Sequence, residues 1–526
     1  MQTEKSATNN LEVELKFELT RKDVNVLTKD PAFIALQISP PRQSSLRATY
    51  FDTCDQKLSQ RDVSLRVRKE SRLYVQCCKV KAPHASADRL AREEWQWRVP
   101  GPDLDVQLLK TDKRMINFFK GVDLDKLQVQ FTTNIKRQSR LLETPGGAHI
   151  RCDIDRGHIQ SRTQELLVFE LELELERGSE RELLDLARLV TSIVPARLSS
   201  RTKAKRGLLL ALNERGMAGL QQDWAKACPV TMPDNATAHE VLSISLIDGL
   251  KHLIANEDCV LTRHHIEGVH QMRVALRRMR AVITTYKKVL PTGCFEDLSR
   301  NLKAAGRTLG PARDWDVFTD GVLADVQSHF NGDPAFDILY AKVQQHRDVA
   351  YIGACDLIYS AAYAQVLTQT LHWVGTEPWI QEDLINPLAI PATKMAHNLL
   401  QHRHKKLIEL GKGLAELSMD QRHQLRIAIK KMRYGAEIFA PLYPKKRVKD
   451  YIKCLCALQN GLGHMNDLVM AKALMADLIS DGEDEDSPAL HRAIGRVEGW
   501  CSCAQEMQES NLLNTWTAFT KAKPFW

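Results

Sequence analysis

Charged and apolar residues alternate without a break in Leu11-Glu-Val-Glu-Leu-Lys-Phe-Glu-Leu19. Side chains of an extended chain alternate between faces, so Glu12, Glu14, Lys16 and Glu18 line one side and Val13, Leu15, Phe17 and Leu19 the other. A solvated strand face would read the same way; the recurrence of the pattern argues for more. Phe169-Glu-Leu-Glu-Leu-Glu-Leu-Glu176 puts Glu170, Glu172, Glu174 and Glu176 on one face. Val63-Ser-Leu-Arg-Val-Arg68 puts Arg66 and Arg68 together, Tyr74 to Lys81 sets Lys79 with Lys81, and Glu94-Trp-Gln-Trp-Arg98 opposes Glu94, Gln96 and Arg98 to Trp95 and Trp97. Some strands are thus nearly pure carboxylate and others nearly pure cation. Basic walls facing acidic walls hold a polyphosphate through the cations and a divalent metal through the carboxylates.

A second constellation lies on helical text. Val269-His-Gln-Met-Arg-Val-Ala-Leu-Arg-Arg-Met-Arg280 matches Arg422-His-Gln-Leu-Arg-Ile-Ala-Ile-Lys-Lys-Met-Arg433 at an offset of 423 − 270 = 153. Steps of three, four and three put His270, Arg273, Arg277 and Arg280 on one face of the first helix, and His423, Arg426, Lys430 and Arg433 on one face of the second, while Met272, Leu276 and Met279 form an adjacent packing face. Four cations in a row repel one another, and the pattern shows no (i, i+4) carboxylate to relieve them. Phosphate suits such donors, and two copies suit a long phosphate chain between them. The basic face has no interleaved aromatics for base stacking, which disfavours nucleic acid.

The elements that must position these groups differ between the two halves. Residues 11 to about 210 are strand-like, and a barrel with a polar interior satisfies both faces of every strand if helices cover its apolar outside; Asp103 to Phe119 and Arg181 to Val194 are the candidate covering helices. Residues 211–235, with Gly216, Gly219, Pro229, Pro233 and Asn235, read as a linker. From 236 to 515 the period is 3.6. Leu309-Gly-Pro-Ala-Arg-Asp314 and Leu462-Gly-His-Met-Asn-Asp467 repeat the offset, 463 − 310 = 153, so the expected architecture is two similar all-α bundles in a duplicated module. The fold class expected for the chain is α+β and multidomain.

At 526 residues the chain exceeds one ordinary core. No apolar run is long enough to span a bilayer, and Met1 to Asn10 is a polar tail without the apolar segment of a secretory signal. These features, with twelve scattered cysteines lacking zinc-site spacing, lead us to expect a cytoplasmic protein without a membrane partner. The net charge of +8 allows a polyanionic partner without specifying one. Walker loops, G-x-S-x-G elbows and H-E-x-x-H motifs are absent from the sequence.

Residues 11–210 resemble the CYTH domain of the triphosphate tunnel metalloenzymes. The resemblance rests on the E-x-E-x-K signature at Glu12, Glu14 and Lys16, on Tyr50-Phe-Asp-Thr53, Leu65-Arg-Val-Arg68, Lys79, Phe131-Thr-Thr-Asn-Ile-Lys-Arg137, Asp153-Ile-Asp-Arg-Gly157, the Glu170 strand and Thr202-Lys-Ala-Lys-Arg-Gly207, in order. Residues 236–515 resemble the CHAD domain, a duplicated helical module associated with phosphate and polyphosphate. The resemblance implies an eight-stranded antiparallel tunnel in which Lys16, Arg66, Arg68, Lys79, Arg137, Lys203 and Arg206 grip phosphate. It also implies that Glu12, Glu14, Asp155, Glu170, Glu172 and Glu174 hold Mg²⁺ or Mn²⁺, with Glu12, Glu14, Lys16 and Glu172 at the catalytic centre. The implied reaction is hydrolysis of inorganic triphosphate to pyrophosphate and orthophosphate, with a polyphosphate-binding helical half around His270, Arg273, Arg277, Arg280, His423, Arg426, Lys430 and Arg433. Alternatives are thiamine or nucleoside triphosphate as substrate, cyclase chemistry on ATP, or a non-catalytic polyphosphate tether. Gln96 stands where the family often has Glu, Cys77-Cys78 where Thr and an aliphatic residue are usual, and Asn134 where Asp is common. The sequence is silent on oligomeric state.

Overall fold

A computed structural model describes residues 13–70, 72–112 except 82–91, 115–214 except 200, 224–380 except 263–264, 292 and 331, then 386, 388–480 and 488–526. The chain forms two compact units, one from residues up to 222 with Tyr359–Thr376, the other from 223–358 and 377–526.

Among its described residues the first unit holds nine strands: β1 Glu14–Glu18, β2 Arg42–Asp52, β3 Val63–Glu70, β4 Leu73–Lys81, β5 Arg92–Val99, β6 Gln128–Glu143, β7 His149–Gln160, β8 Glu165–Arg177 and β9 Arg197–Leu198. Its helices are α1 Arg21–Leu27, α2 Pro31–Ala35, α3 Val106–Thr111, α4 Ile116–Phe119, α5 Glu180–Ile193 and α6 Lys203–Glu214. All adjacent strands are antiparallel, in the order β5-β4-β3-β2-β6-β7-β8-β1-β9. The expected closed, eight-stranded barrel is therefore corrected: among the described residues the sheet has nine strands and no ladder joins its edges, β5 and β9. The physical reason is visible at one edge, where β9 is two residues long and offers too few backbone groups to pair along the eight residues of β5.

Alternation assigns the faces as the sequence suggested. Phe17, Leu171, Leu173, Cys152 and Ile154 are buried on the face opposite the charges. On the same side of the sheet, Val63, Leu65, Cys78 and Val80 pack with Leu109, Met115 and Phe119 of the α3–α4 region, against which Trp95 and Trp97 also lie. The long β6–β7 hairpin turns through Gly147, whose φ of +87° a side chain would strain. Glu182 of α5 ties that hairpin to the helix: it caps Ser179 and accepts from Thr144 Oγ1 (2.6 Å) and Ala148 N (3.1 Å). Over α5 lies α14, Ala361–Thr376, with Thr191 and Thr368 hydroxyls 3.1 Å apart and His372 Nε2 2.9 Å from Asp185. This helix comes from within the duplicated helical sequence yet belongs to the sheet's unit.

The second unit is all-α: α7 Ala238–Ile254, α8 Glu257–Thr262, α9 Glu267–Tyr286, α10 Glu296–Thr308, α11 Gly310–Val317, α12 Ala324–His329, α13 Ala335–Ile358, α15 Ala392–Leu410, α16 Met419–Phe439, α17 Lys445–Ser480 and α18 Pro488–Thr520. The duplication is visible at the repeat starts, where Ala238 N donates to Ile390 O and Ala392 N to Ala236 O, both at 2.9 Å. Met272, Leu276 and Met279 of α9 are buried, as are their counterparts Leu425, Ile429 and Met432 of α16. The copies diverge downstream. Pro311 starts a new helix in the first copy and a π-helical turn, Phe318–Leu323, follows, whereas α17 runs unbroken through Gly463.

Candidate functional site

Strand register brings the charges of the first unit together. Lys16 pairs with Glu172, Glu172 with Asp153, Asp155 with Glu170 and with Arg137, all by direct cross-strand neighbourhood. Arg137 donates Nε and Nη2 to the two oxygens of Asp155 (2.7 Å each), Nη1 to Asp153 (2.7 Å) and Nη2 also to Glu172 (2.7 Å). Lys16 Nζ lies 3.1 Å from Glu14 and 3.5 Å from Glu172. Two further cations arrive from α6: Lys203 Nζ stands 2.8 Å from Asp155 and 3.2 Å from Glu172 and also contacts Glu170, while Arg206 Nη1 is 2.5 Å from Glu170 Oε1. Helix α6 is held there by apolar contacts: Leu208 and Leu212 pack with Tyr50, Phe131 and Ile135. At Gly207 a Cβ would lie 2.2 Å from the Phe131 ring, so only glycine allows the approach.

Carboxylate oxygens of Asp155, Glu170 and Glu172 lie within 4.8 Å of one another. Oxygen-only donors so spaced fit a hard divalent cation. Asp153 Oδ1 adds a buried acceptor with no hydrogen-bond partner among the described residues. Burial opposes ionisation of Glu172, but Lys203, Lys16 and Arg137 outweigh it and hold its carboxyl well below the usual range. Burial likewise acts against the Lys16 ammonium, and Glu172 and Glu14 reverse the effect, so its pKa is raised. The same contest raises Lys203 and Arg137.

Other expected site residues stand apart from the trio. Glu12 lies outside the described residues. Glu14 contacts Lys16 rather than joining the trio, and Glu174 is engaged by Arg151, which also reaches Glu176 at 3.2 Å. Arg66, Arg68 and Lys79 form a second group on β3 and β4: Arg66 Nη1 donates to the Tyr50 hydroxyl (3.0 Å), Lys79 Nζ lies 2.7 Å from Glu94, and Arg68 contacts Glu70. Arg66 and Arg68 each keep a buried Nε without a partner among the described residues. Gln96 sits across from Cys77, which in turn faces Arg66, so these two departures share the charged face, whereas Cys78 lies in the apolar cluster and Asn134 alternates to the opposite face. Sequence reading passed over Asp153 and Glu94 as site residues. For Asp153 the two-residue step to Asp155 was the available signal.

The second unit carries a different electrostatic problem. Arg273, Arg277, Arg280 and Arg426 each bury an Nε with no hydrogen-bond partner among the described residues. Lys430 of α16 is pushed down to about 8, first by burial and then by Arg426 on its own helix and Arg277 and Arg273 on α9, so the two ribbons face each other. Burial and then Arg313 push His270 down to about 4, leaving it neutral near pH 7. Burial also lowers Arg273, Arg280 and Arg426. His423 is exposed, unlike half-buried His270. One expectation needs correcting. Arg433 is relieved by a carboxylate after all, its Nε donating to Glu437 at 2.8 Å, an (i, i+4) pair that the sequence spelled out. Arg313, Asp314 and Asp467 join the cluster: Asp314 interacts with Arg273 and Arg313, and Asp467 with His464, Arg426 and Arg313. They lie in the second repeated motif, whose constant offset was their signal.

Comparison with known proteins agrees with this division. The CYTH domain profile matches residues 10–208 and the CHAD domain profile residues 244–476. Among solved structures, the CHAD domain from the plant Ricinus communis is 26% identical, covers 58% of this chain and 98% of its own, and superposes with a TM-score of 0.50. PptA from Streptomyces chartreusis is 16% identical over 55% of this chain and 99% of its own, at a TM-score of 0.41. HpAC1 from Hippeastrum, described as having a dominant triphosphatase activity, is 15% identical over 39% of this chain and 96% of its own, at a TM-score of 0.25. Among the described residues no helix is long and apolar enough to cross a membrane. The chain belongs to the proteins that join a CYTH domain, the domain of the triphosphate tunnel metalloenzymes, to a CHAD domain.

Proposed function

We propose that the first unit hydrolyses inorganic triphosphate to pyrophosphate and orthophosphate with Mg²⁺ or Mn²⁺, and that the second binds polyphosphate. One observation carries the catalytic reading: on a single sheet face the trio Asp155, Glu170 and Glu172 meets the cations Lys16 and Arg137 of neighbouring strands and Lys203 and Arg206 of α6. Phosphoryl transfer asks the protein for positioning and charge stabilisation more than for covalent chemistry. Asp155, Glu170 and Glu172 would hold the metal, which when bound supplies Lewis acidity towards the phosphoryl oxygens and acidifies water. Lys16, Arg137 and Arg206 are then free to exchange carboxylate partners for phosphate oxygens and to stabilise charge growing on the leaving pyrophosphate. Arg66 and Arg68, with their unpartnered Nε atoms, would take the far end of the substrate. Trp95 and Trp97 pack on the opposite side of the sheet, where they cannot stack a nucleobase bound at the charged face. In the second unit, Arg277 and Arg280, each with a buried Nε lacking a hydrogen-bond partner among the described residues, and Lys430, whose ammonium form burial and neighbouring arginines disfavour, support a polyanion as ligand. Twelve free cysteines suit the cytoplasm.

The test is phosphate release from triphosphate, ATP, thiamine triphosphate and long-chain polyphosphate with either metal, using Glu172→Gln as control. Triphosphate should be the preferred substrate and the variant should lose at least about 100-fold in kcat/KM, as expected when a residue that would hold the charge-stabilising metal is removed. Turnover of none of the four, or an equally active variant, refutes the proposal.

A further inference from the structure

Lys203 occupies a position that a phosphate-gripping residue alone does not require. Its Nζ touches all three members of the carboxylate trio, at 2.8 Å from Asp155 Oδ2, 3.2 Å from Glu172 Oε1 and in close contact with Glu170 Oε2. The oxygens it contacts belong to the groups whose spacing fits a divalent cation. An ammonium and a metal ion cannot both sit among them. The backbone of Lys203 has little freedom, because α6 is pinned by Gly207 against Phe131 and by Leu208 and Leu212 in the apolar cluster. Its flexible four-carbon stem, by contrast, lets the ammonium swing by several ångströms without moving the helix.

Charge balance says where it must go. Asp155, Glu170 and Glu172 are met by Arg137, Lys16, Lys203 and Arg206. Glu14 and Asp153 also contact Lys16 and Arg137, so a divalent cation turns a face with an excess of carboxylates into one with an excess of cations, and an anion arriving with it restores the balance. Asp153 offers a second observation beside the trio: its Oδ2 takes Arg137 Nη1, while Oδ1 is buried with no hydrogen-bond partner among the described residues, a spare acceptor available when the cations redistribute.

Resting on the metal-dependent reading above, we propose that Lys203 is a resident counter-ion of the trio, which yields those oxygens to the divalent cation and moves onto the incoming phosphate. Metal and phosphate then bind cooperatively. Each ligand strengthens the other by the same factor, because both draw on one displacement. Lys203 is a switch between the two ligands rather than only a grip on one.

The test measures Mn²⁺ binding by the loss of the free-ion EPR signal, on the full chain, with and without inorganic phosphate. Wild type should bind Mn²⁺ weakly alone and at least about tenfold more tightly with phosphate. Lys203→Met should bind Mn²⁺ at least about tenfold more tightly than wild type without phosphate, and phosphate should then add little. Lys203→Gln repeats the comparison with a polar side chain, and circular dichroism confirms that each variant is folded. Unchanged or weaker Mn²⁺ binding in the folded Lys203 variants overturns the counter-ion role. If wild type binds Mn²⁺ no better than Glu170→Gln/Glu172→Gln in either condition, the metal-site reading itself fails, and the Lys203 proposal falls with it.

Discussion

Arg277 and Arg278 are neighbours in sequence with opposite expected behaviour. Arg278 Nη2 is 2.9 Å from Asp248, a pair within the bundle. Arg277 has a buried Nε without a hydrogen-bond partner among the described residues and stands between Arg273 and Arg280 on the same helix face. Replacing Arg277 by Met keeps helix propensity and removes two like-charge neighbours, each unfavourable by about 0.2–0.5 kcal/mol, so stability should hold or rise by up to about 1 kcal/mol. Polyphosphate affinity should fall, because a charge-assisted hydrogen bond contributes about 1.5–3 kcal/mol, or about 10- to 150-fold. Arg278→Met should reverse the pattern, losing about 1 kcal/mol of stability with little effect on affinity. The assay pairs urea unfolding with titration of a medium-length polyphosphate at two salt concentrations. Wild-type affinity in Arg277→Met, or a stability loss there as large as in Arg278→Met, refutes the reasoning.

Polyphosphate binding should weaken as pH rises through about 8, where Lys430 loses its proton, and Lys430→Arg should abolish that dependence; titrations from pH 6 to 10 check it. Glu172 has a folded pKa below its ordinary 4.5, so its ion pairs stabilise the fold above that value and the contribution disappears as pH falls towards the folded pKa; Glu172→Gln should flatten this part of the acid-unfolding curve. Gly207→Val drives a side chain into a Phe131 ring already stacked 4.5 Å from Tyr50, and should cost about 1–3 kcal/mol and raise the KM for triphosphate by moving Lys203 and Arg206. Thr368→Asp places an unpaired carboxylate against Thr191, and hydrogen exchange should show α5 losing protection although the substitution lies in the CHAD sequence.

Much of the site was legible because its signals are local. A period of two alone sorted Glu14 and Lys16 from Phe17, and Glu170 and Glu172 from Leu171, and the structure keeps those faces. The 3.6 period likewise separated Arg273 and Arg277 from buried Met272 and Leu276. Arg433 with Glu437 was equally local and was overlooked.

What the tertiary structure decided is which groups meet. Alternation says nothing of register, yet register places Asp155 beside Glu170 and Arg137, leaves Glu174 to Arg151, and keeps Arg66 and Lys79 in a separate cluster. Sheet closure depends on edge strands distant in sequence, which is why a two-residue β9 escaped the pattern. The two basic constellations also look alike as text. Only the fold shows that the cations of the sheet are neutralised by carboxylates on neighbouring strands while several of the bundle are not. Charge is a property of each residue, but its compensation acts through space over a few ångströms, and the sequence does not contain those distances.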